Sequence, residues 1–373
     1  MKLGIDLTRI EGENTCGADA VAINLIRGLV MCGHSKDIVC FCRGKIVPIL
    51  TGIDPSLTVK VLPDFTSGSG IIRFIKRGRN LNALRKLAPA SGADVLLFTN
   101  KYTPARRFPI KTAMITHDIQ CFAVPRGKLP LIAKLRRRKE QFQVWNDFRS
   151  RDLIIAISDF DVKMCRDALP RYAGKVRRIY NPVFSPLSPV SFCRNPGGKY
   201  ITALNIRWSH KNTLTLIRAF ERIQGEVPLD LILVGSPPPD YPKLISYIRE
   251  HGMESRVTFT GFVSEKRLEE IVSETRIYVN PSLFEGFGMT AVEMISNGIP
   301  TIVAGCTASP ETTRGYALTY SPPEDDAALA EVLLYEWNHP VPFEKRALAS
   351  EELKSIYDCR TIAAEYWRIL SEL

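Results

Sequence analysis

No stretch of the 373-residue sequence runs to eighteen apolar residues, so no helix is expected to span a membrane. A Gly-x-Gly-x-x-Gly following a strand is also missing, which argues against a dinucleotide-dependent dehydrogenase. The nine cysteines are scattered: Cys40 and Cys42 stand two apart, with no second pair and no histidine pair to complete a zinc site. Cys165 and Cys306 lie in or beside apolar stretches and are expected to be buried free thiols. No internal repeat is visible. The opening Met1-Lys2-Leu3-Gly4-Ile5-Asp6 places an acid before an apolar run could reach signal length. Together with free thiols this points to the cytoplasm.

What is present suits a globular chain of two domains. The composition is 45% hydrophobic and 24% charged, and the length exceeds one ordinary core. The net charge of +11 is unevenly placed. Residues 1–183 carry 32 Lys+Arg against 15 Asp+Glu, and the remainder 18 against 24. Two halves of opposite sign are expected to meet different partners.

Short apolar runs alternate with helical periods in both halves, the pattern of a parallel α/β sheet. In the first half the strands are expected at Leu3–Leu7, Asp37–Cys42, Val59–Leu62, Val95–Thr99, Thr112–Thr116 and Leu153–Ile157, with an amphipathic helix over Asp19–Leu29. Prolines then crowd from Pro182 to Pro196 and mark a linker. Beyond it strands are expected at Tyr200–Leu204, Leu229–Val234, Arg256–Thr260, Ile277–Asn280 and Thr301–Val303. Helices are expected at Thr213–Gln224, Tyr241–His251, Glu265–Glu274 and Ala291–Asn297. The fold class is α/β with two Rossmann-like domains, 1–183 and 184–358. A closing helix follows over 359–373, apolar at Ile362, Tyr366, Ile369 and Leu370.

The densest chemical signal is Pro281-Ser282-Leu283-Phe284-Glu285-Gly286-Phe287-Gly288-Met289-Thr290-Ala291-Val292-Glu293. It follows an apolar strand and opens a helix. Two glycines let backbone N–H groups converge there, and a helix N-terminus favours anions. Two carboxylates, Glu285 and Glu293, bracket that anion site, and carboxylates are the usual acceptors for paired sugar hydroxyls.

Glu285–Glu293 resembles the glutamate-x7-glutamate motif of retaining GT-B glycosyltransferases of family 4, also called glycosyl transferases group 1. The resemblance extends over nearly the whole chain through Gly17, Thr116-His117-Asp118, Ala156-Ile157-Ser158-Asp159, Tyr180-Asn181-Pro182, His210-Lys211-Asn212, Gly261-Phe262-Val263-Ser264 and Asn297-Gly298-Ile299-Pro300. It implies two Rossmann-like domains facing across a cleft, with the last helix crossing back to the N-terminal domain. It also implies that Glu285 contacts the transferred sugar and that the amides of Gly286, Phe287, Gly288 and Met289 surround its hydroxyls and the diphosphate. Glu293 would take the ribose hydroxyls, the backbone near Phe262 the base edge, and Gly17 would allow closure on the diphosphate. His117 would lie near the donor sugar, orienting it or stabilising charge.

The family it resembles works without a metal, so no cofactor is expected and the diphosphate needs protein cations. Lys211 and Arg207 are the candidates. Here the sequence departs from the family, because Arg207 and Lys211 are separated by three residues rather than four. Retention of anomeric configuration is implied, and same-face attack assisted by the leaving phosphate is the working mechanism. The donor is not legible: GDP-mannose is weakly favoured, with UDP- and dTDP-linked hexoses open.

Basic residues cluster at Arg73–Arg79 and Lys134–Lys139 beside apolar Ile71, Ile72, Phe74, Ile75, Leu129, Leu131, Ile132 and Leu135. Such stretches suit an anionic membrane surface. The partners expected are therefore a nucleotide-diphosphate sugar, a glycan or lipid-linked acceptor, and the inner face of the cytoplasmic membrane. Nucleic acid is not expected, although a pI near 9.2 keeps a nucleic-acid-binding protein as an alternative. A nucleotide-sugar epimerase of the same fold is the other.

Overall fold

The computed structural model describes residues 1–10, 12, 17–63, 70–100, 107–123, 129–183 and 198–373, with backbone alone for 70–77. The proline-rich linker over 184–197, the side chains of Arg73, Lys76 and Arg77, and most of the loop before Gly17 lie outside the described residues. The chain forms two compact units, Met1–Val183 with Tyr357–Leu373, and Phe184–Ile356.

The first unit is built on seven strands: β1 (Leu3–Leu7), β2 (Ile38–Cys42), β3 (Thr58–Val61), β4 (Val95–Phe98), β5 (Lys111–Ile115), β6 (Leu153–Ala156) and β7 (Val176–Arg178). They lie in the order β3-β2-β1-β4-β5-β6-β7, with every pairing parallel. Leu3 sits opposite Ile38 on one side and Val95 on the other. The helices are α1 (Gly17–Met31), α2 (Val47–Ile53), α3 (Gly70–Ala90), α4 (Leu131–Ser150) and α5 (Asp159–Ala168). Every residue of β1, β2, β4 and β6 is buried. A parallel sheet covered on both faces reads as near-continuous apolar runs, here broken only by the acid Asp6 in β1, which is why these strands are legible in sequence.

The second unit carries β8 (Tyr200–Leu204), β9 (Asp230–Val234), β10 (Val257–Gly261), β11 (Thr275–Asn280), β12 (Thr301–Ala304) and β13 (Leu318–Tyr320). Their order is β10-β9-β8-β11-β12-β13, again parallel. Its helices are α6 (Thr213–Ile223), α7 (Tyr241–Glu250), α8 (Glu265–Ser273), α9 (Met289–Ser296), α10 (Ser309–Thr312), α11 (Asp326–Asn338) and α12 (Phe343–Ile356). Leu216 and Phe220 of α6 and Leu333 of α11 pack with Leu231, Leu233, Ile277 and Val279 of the sheet. The chain winds outward from β8 to β10, then returns to place β11 on the other side of β8. That reversal opens a crevice at the carboxyl ends of β8 and β11, where ligands of such sheets bind.

The last helix, α13 (Cys359–Ser371), belongs to the first unit and packs on α1. The approach requires Gly28: a Cβ there would lie 2.0 Å from the Cys359 carbonyl oxygen. Trp367 stacks on His34 with ring centroids 3.6 Å apart.

The structure differs from the sequence expectation in several places. β7 and β13 have three residues each, too few to show a period. Helix α4 was legible only as a basic stretch, because charge fills most of its first half. Cys165 is buried, but Cys306 is only partly so. The helix expected from Ala291 begins at Met289, and the strand expected from Ile277 begins at Thr275.

Candidate active site

The two loops that leave β8 and β11 meet at the crevice. After β8 the backbone turns through Asn205 at φ 60° and a 3-10 turn over Ser209–Lys211, then reaches Asn212 at φ 54°. Asparagine tolerates this left-handed region better than most residues. Asn212 is also anchored, donating from Nδ2 to the Pro323 carbonyl at 2.8 Å and accepting from Thr215 Oγ1 at 2.8 Å. The Leu283 amide donates to the His210 carbonyl at 2.7 Å and ties the two loops together.

Within this frame Lys211 Nζ donates to Glu285 Oε1 at 2.7 Å. Their side chains are 15% and 14% exposed, so the ion pair is largely withdrawn from water. Asn280 Nδ2 also points to Glu285 Oε1, at 3.3 Å, and Ser282 Oγ donates to Asn280 Oδ1 at 2.7 Å. The Glu285 amide donates to Thr307 Oγ1 at 3.1 Å, and its carbonyl accepts from the Ala308 amide at 3.3 Å. Thr307 adopts φ 59°, an uncommon conformation for a β-branched residue and one that concentrates at functional sites. Burial pushes the Glu285 carboxyl up, but Lys211, Ser282 and His210 together hold it below its ordinary value. Glu285 is therefore an anion at neutral pH.

Gly288 stands at φ 85° immediately before α9, and no side chain caps that helix. Glycine adopts this conformation without a Cβ penalty. The Ala291 amide donates to the Gly288 carbonyl at 3.0 Å, which leaves the Met289 and Thr290 amides at the helix start, the arrangement that attracts anions. Glu293 lies one turn into α9, and burial lifts its pKa to about 7. Between the two glutamates the Tyr278 hydroxyl donates to Thr290 Oγ1 at 2.8 Å. Burial raises the Tyr278 phenol, and the negative charges of Glu285 and Glu293 raise it further.

The remaining sequence candidates are placed less tightly. Gly286 and Met289 belong to the same loop and helix start, whereas Phe287 is buried and its carbonyl accepts from Thr312 Oγ1 at 2.6 Å. Phe262 follows β10 and is 89% exposed. Arg207 is not drawn into the Lys211–Glu285 pair: its guanidinium lies 5.1 Å from the Trp208 ring centroid, and it forms no ion pair among the described residues. In the first unit, Gly17 opens α1, and a Cβ at that position would meet nothing within 4 Å among the described residues. His117 follows β5 at φ 57°, with Nε2 2.6 Å from the Thr99 carbonyl. A carbonyl only accepts, so Nε2 carries a proton and donates it to Thr99.

Asn280, Ser282 and Thr307 escape a reading of the sequence alone. Asn280 ends an apolar strand beside Pro281, a polar residue where packing alone would place none. Thr307 gives no comparable signal.

Residues 199–337 match the model of a protein family described as glycosyl transferases group 1. The chain is 25% identical over 286 residues to O-antigen chain mannosyltransferase B of Escherichia coli, covering 73% of each protein. It is 23% identical over 266 residues to the serotype-specific mannosyltransferase WbdA of the same organism, spanning 63% of this chain but only 32% of that longer protein. Among solved structures, Anabaena HepE in complex with UDP and glucose superposes with a TM-score of 0.71 at 17% identity, covering all of both chains. The chain is a glycosyltransferase of the GT-B fold, its second unit carrying the group 1 domain.

Proposed function

We propose that the protein transfers a hexose, with mannose from GDP-mannose preferred, to a membrane-associated glycan or lipid-linked acceptor in lipopolysaccharide, O-antigen or other surface polysaccharide synthesis. The Lys211–Glu285 pair at the crevice between β8 and β11 is the observation that carries this reading. The mannosyltransferase relatives favour mannose, while UDP in HepE keeps uridine donors in the test.

In this mechanism the donor diphosphate takes Lys211 away from Glu285 and lies against the free amides at the start of α9. Lys211 then offsets the charge that develops on the departing phosphate. Glu285, released but still held by Asn280, accepts from hydroxyls of the sugar. Glu293 accepts from the ribose. The acceptor hydroxyl attacks the face that the phosphate leaves and gives its proton to the departing phosphate oxygen, so the anomeric configuration is retained, and protein cations replace a metal. Arg207 joins Lys211 at the diphosphate.

Helix α4 supports a membrane setting for the acceptor. Leu131 and Ile132 are 73% and 82% exposed, Leu135 and Phe142 are exposed too, and Lys134, Arg136, Arg138 and Lys139 flank them. An outward face of this kind suits the anionic inner surface of the cytoplasmic membrane.

The test supplies the purified chain with GDP-mannose, UDP-glucose, UDP-galactose and dTDP-linked hexoses, with and without a chelator, and with a lipid-linked glycan acceptor. Transfer from one donor, unaffected by the chelator and abolished in both Lys211→Ala and Glu285→Ala, is expected. Near-normal turnover in both variants refutes the assignment. Conversion of the donor without acceptor identifies an epimerase instead.

A further inference from the structure

We propose that a second site, in the first unit and distinct from the donor crevice, binds a phosphate-bearing anion. A hollow of about 680 Å³ opens at the amino-terminal ends of β4, β5 and β6. His117 leaves the opposite, carboxyl-terminal end of β5. Small-molecule sites commonly fall within roughly 300–1,000 Å³.

Five cations and two carboxylates line it. Both carboxylates are already engaged. Asp94 accepts from the Lys2 amide at 2.7 Å, and Asp152 accepts from the Thr112 amide and hydroxyl at 2.8 and 2.9 Å. Lys175 is spent on the end of α4, donating to the carbonyls of Arg151 at 2.6 Å and Phe148 at 3.3 Å. Arg151 is buried, its guanidinium 4.0 Å from the Phe98 ring centroid. The other three cations, Arg107, Lys111 and Arg149, are exposed, and none has an ion-pair partner among the described residues, although Arg149 lies 5.3 Å from the Trp145 ring centroid. Arg107 is close enough to Lys175 for their charges to oppose each other.

Complementing a helix dipole accounts for Lys175 and Arg149 at the end of α4. It does not account for Arg107 in the approach to β5 or for Lys111 at that strand's first position. Exposed like charges that line one hollow repel one another, and an anion joining them would relieve that repulsion.

The chemistry of the lining specifies the ligand. Two exposed guanidinium forks and an ammonium match phosphate oxygens better than a single carboxylate. Phe108, partly buried and edge-on to Phe98 at 5.4 Å, forms an apolar wall with Pro109 for the organic portion. A phosphorylated sugar and a phospholipid headgroup share this chemistry.

Calorimetric titration of the full chain with inorganic pyrophosphate tests the site. Two classes of binding are expected, one removed by Lys211→Gln and the other weakened about tenfold or more by the pair Arg107→Gln and Lys111→Gln. Arg149→Gln should weaken the second class in the same direction, and the charge-keeping pair Arg107→Lys and Lys111→Arg should restore it. A Lys211→Gln protein that binds no pyrophosphate overturns the proposal, as does binding in that background that ignores all three basic residues. Loss of the Lys211-dependent class concerns the donor crevice alone. Sedimentation with phosphatidylcholine vesicles, with and without phosphatidylglycerol, separates the sources. If the Arg107 and Lys111 pair also governs vesicle binding, the ligand is a lipid headgroup; if it governs pyrophosphate only, the ligand is a soluble phosphate.

Discussion

Replacing Lys211 with methionine keeps most of the side chain's volume but removes the cation that faces Glu285 at 2.7 Å. Breaking a fully buried ion pair costs about 3–5 kcal/mol. Here Asn280 and Ser282 still bond within the network and both partners keep slight exposure, so about 2–3 kcal/mol is expected at pH 7. The pH dependence identifies the cause. In the native protein the Glu285 pKa is held below its ordinary 4.5, largely by Lys211 against the opposing effect of burial. Its stabilising contribution is therefore present above pH 4.5 and lost as the pH falls through the folded-state value. Without Lys211, burial is opposed only weakly and the folded-state pKa rises above 4.5. The penalty is then absent in acid and grows above pH 4.5, so the stability gap between the two proteins should be wide at pH 7 and narrow toward pH 4. Urea unfolding measures it, with Trp145 and Trp367 changed to phenylalanine so that Trp208 and Trp337 report the second unit. Adding Glu285→Gln to Lys211→Met should recover most of the loss. A gap independent of pH, or a double variant no more stable than Lys211→Met, would refute a buried pair at this site.

Three further outcomes follow from particular residues. Burial sets the Glu293 pKa at about 7, so if its carboxylate grips ribose, nucleoside diphosphate affinity should rise about tenfold from pH 6 to pH 8 and stay flat in Glu293→Gln. The linked stability has the opposite sign: it is fully present below pH 4.5, lost as the pH passes about 7, and absent from Glu293→Gln. Gly28→Ala drives a Cβ into the Cys359 backbone and should cost about 3 kcal/mol by thermal unfolding, whereas Gly174→Ala, with open space around it, should be close to neutral. Neutralising Arg136, Arg138 and Lys139 should weaken salt-sensitive binding to phosphatidylglycerol vesicles by about 1 kcal/mol per residue; unchanged binding removes α4 from the membrane contact.

The alternation of apolar strand and helix was fixed by local composition. Strands buried on two faces, such as Val95–Phe98 and Ile38–Cys42, are apolar throughout, and that pattern survives in one dimension. The loop from Pro281 to Glu293 was legible for a similar reason, since its glycines and acids are contiguous. Strand order was not legible. The return of β11 to the side of β8 brings Lys211 to Glu285 across 74 positions of sequence, and no local period encodes such a meeting. The same holds for Thr307, whose hydroxyl accepts from the Glu285 amide, and for Gly28, needed because α13 returns to α1. The pKa of Glu293 also depends on what surrounds it once folded. Arg207 shows the converse, since proximity in sequence to Lys211 did not bring it to the ion pair. Local sequence sets which segments must be buried and which turns they require; charges paired over long separations arise only when the sheet is ordered, because desolvation and Coulomb attraction act through space.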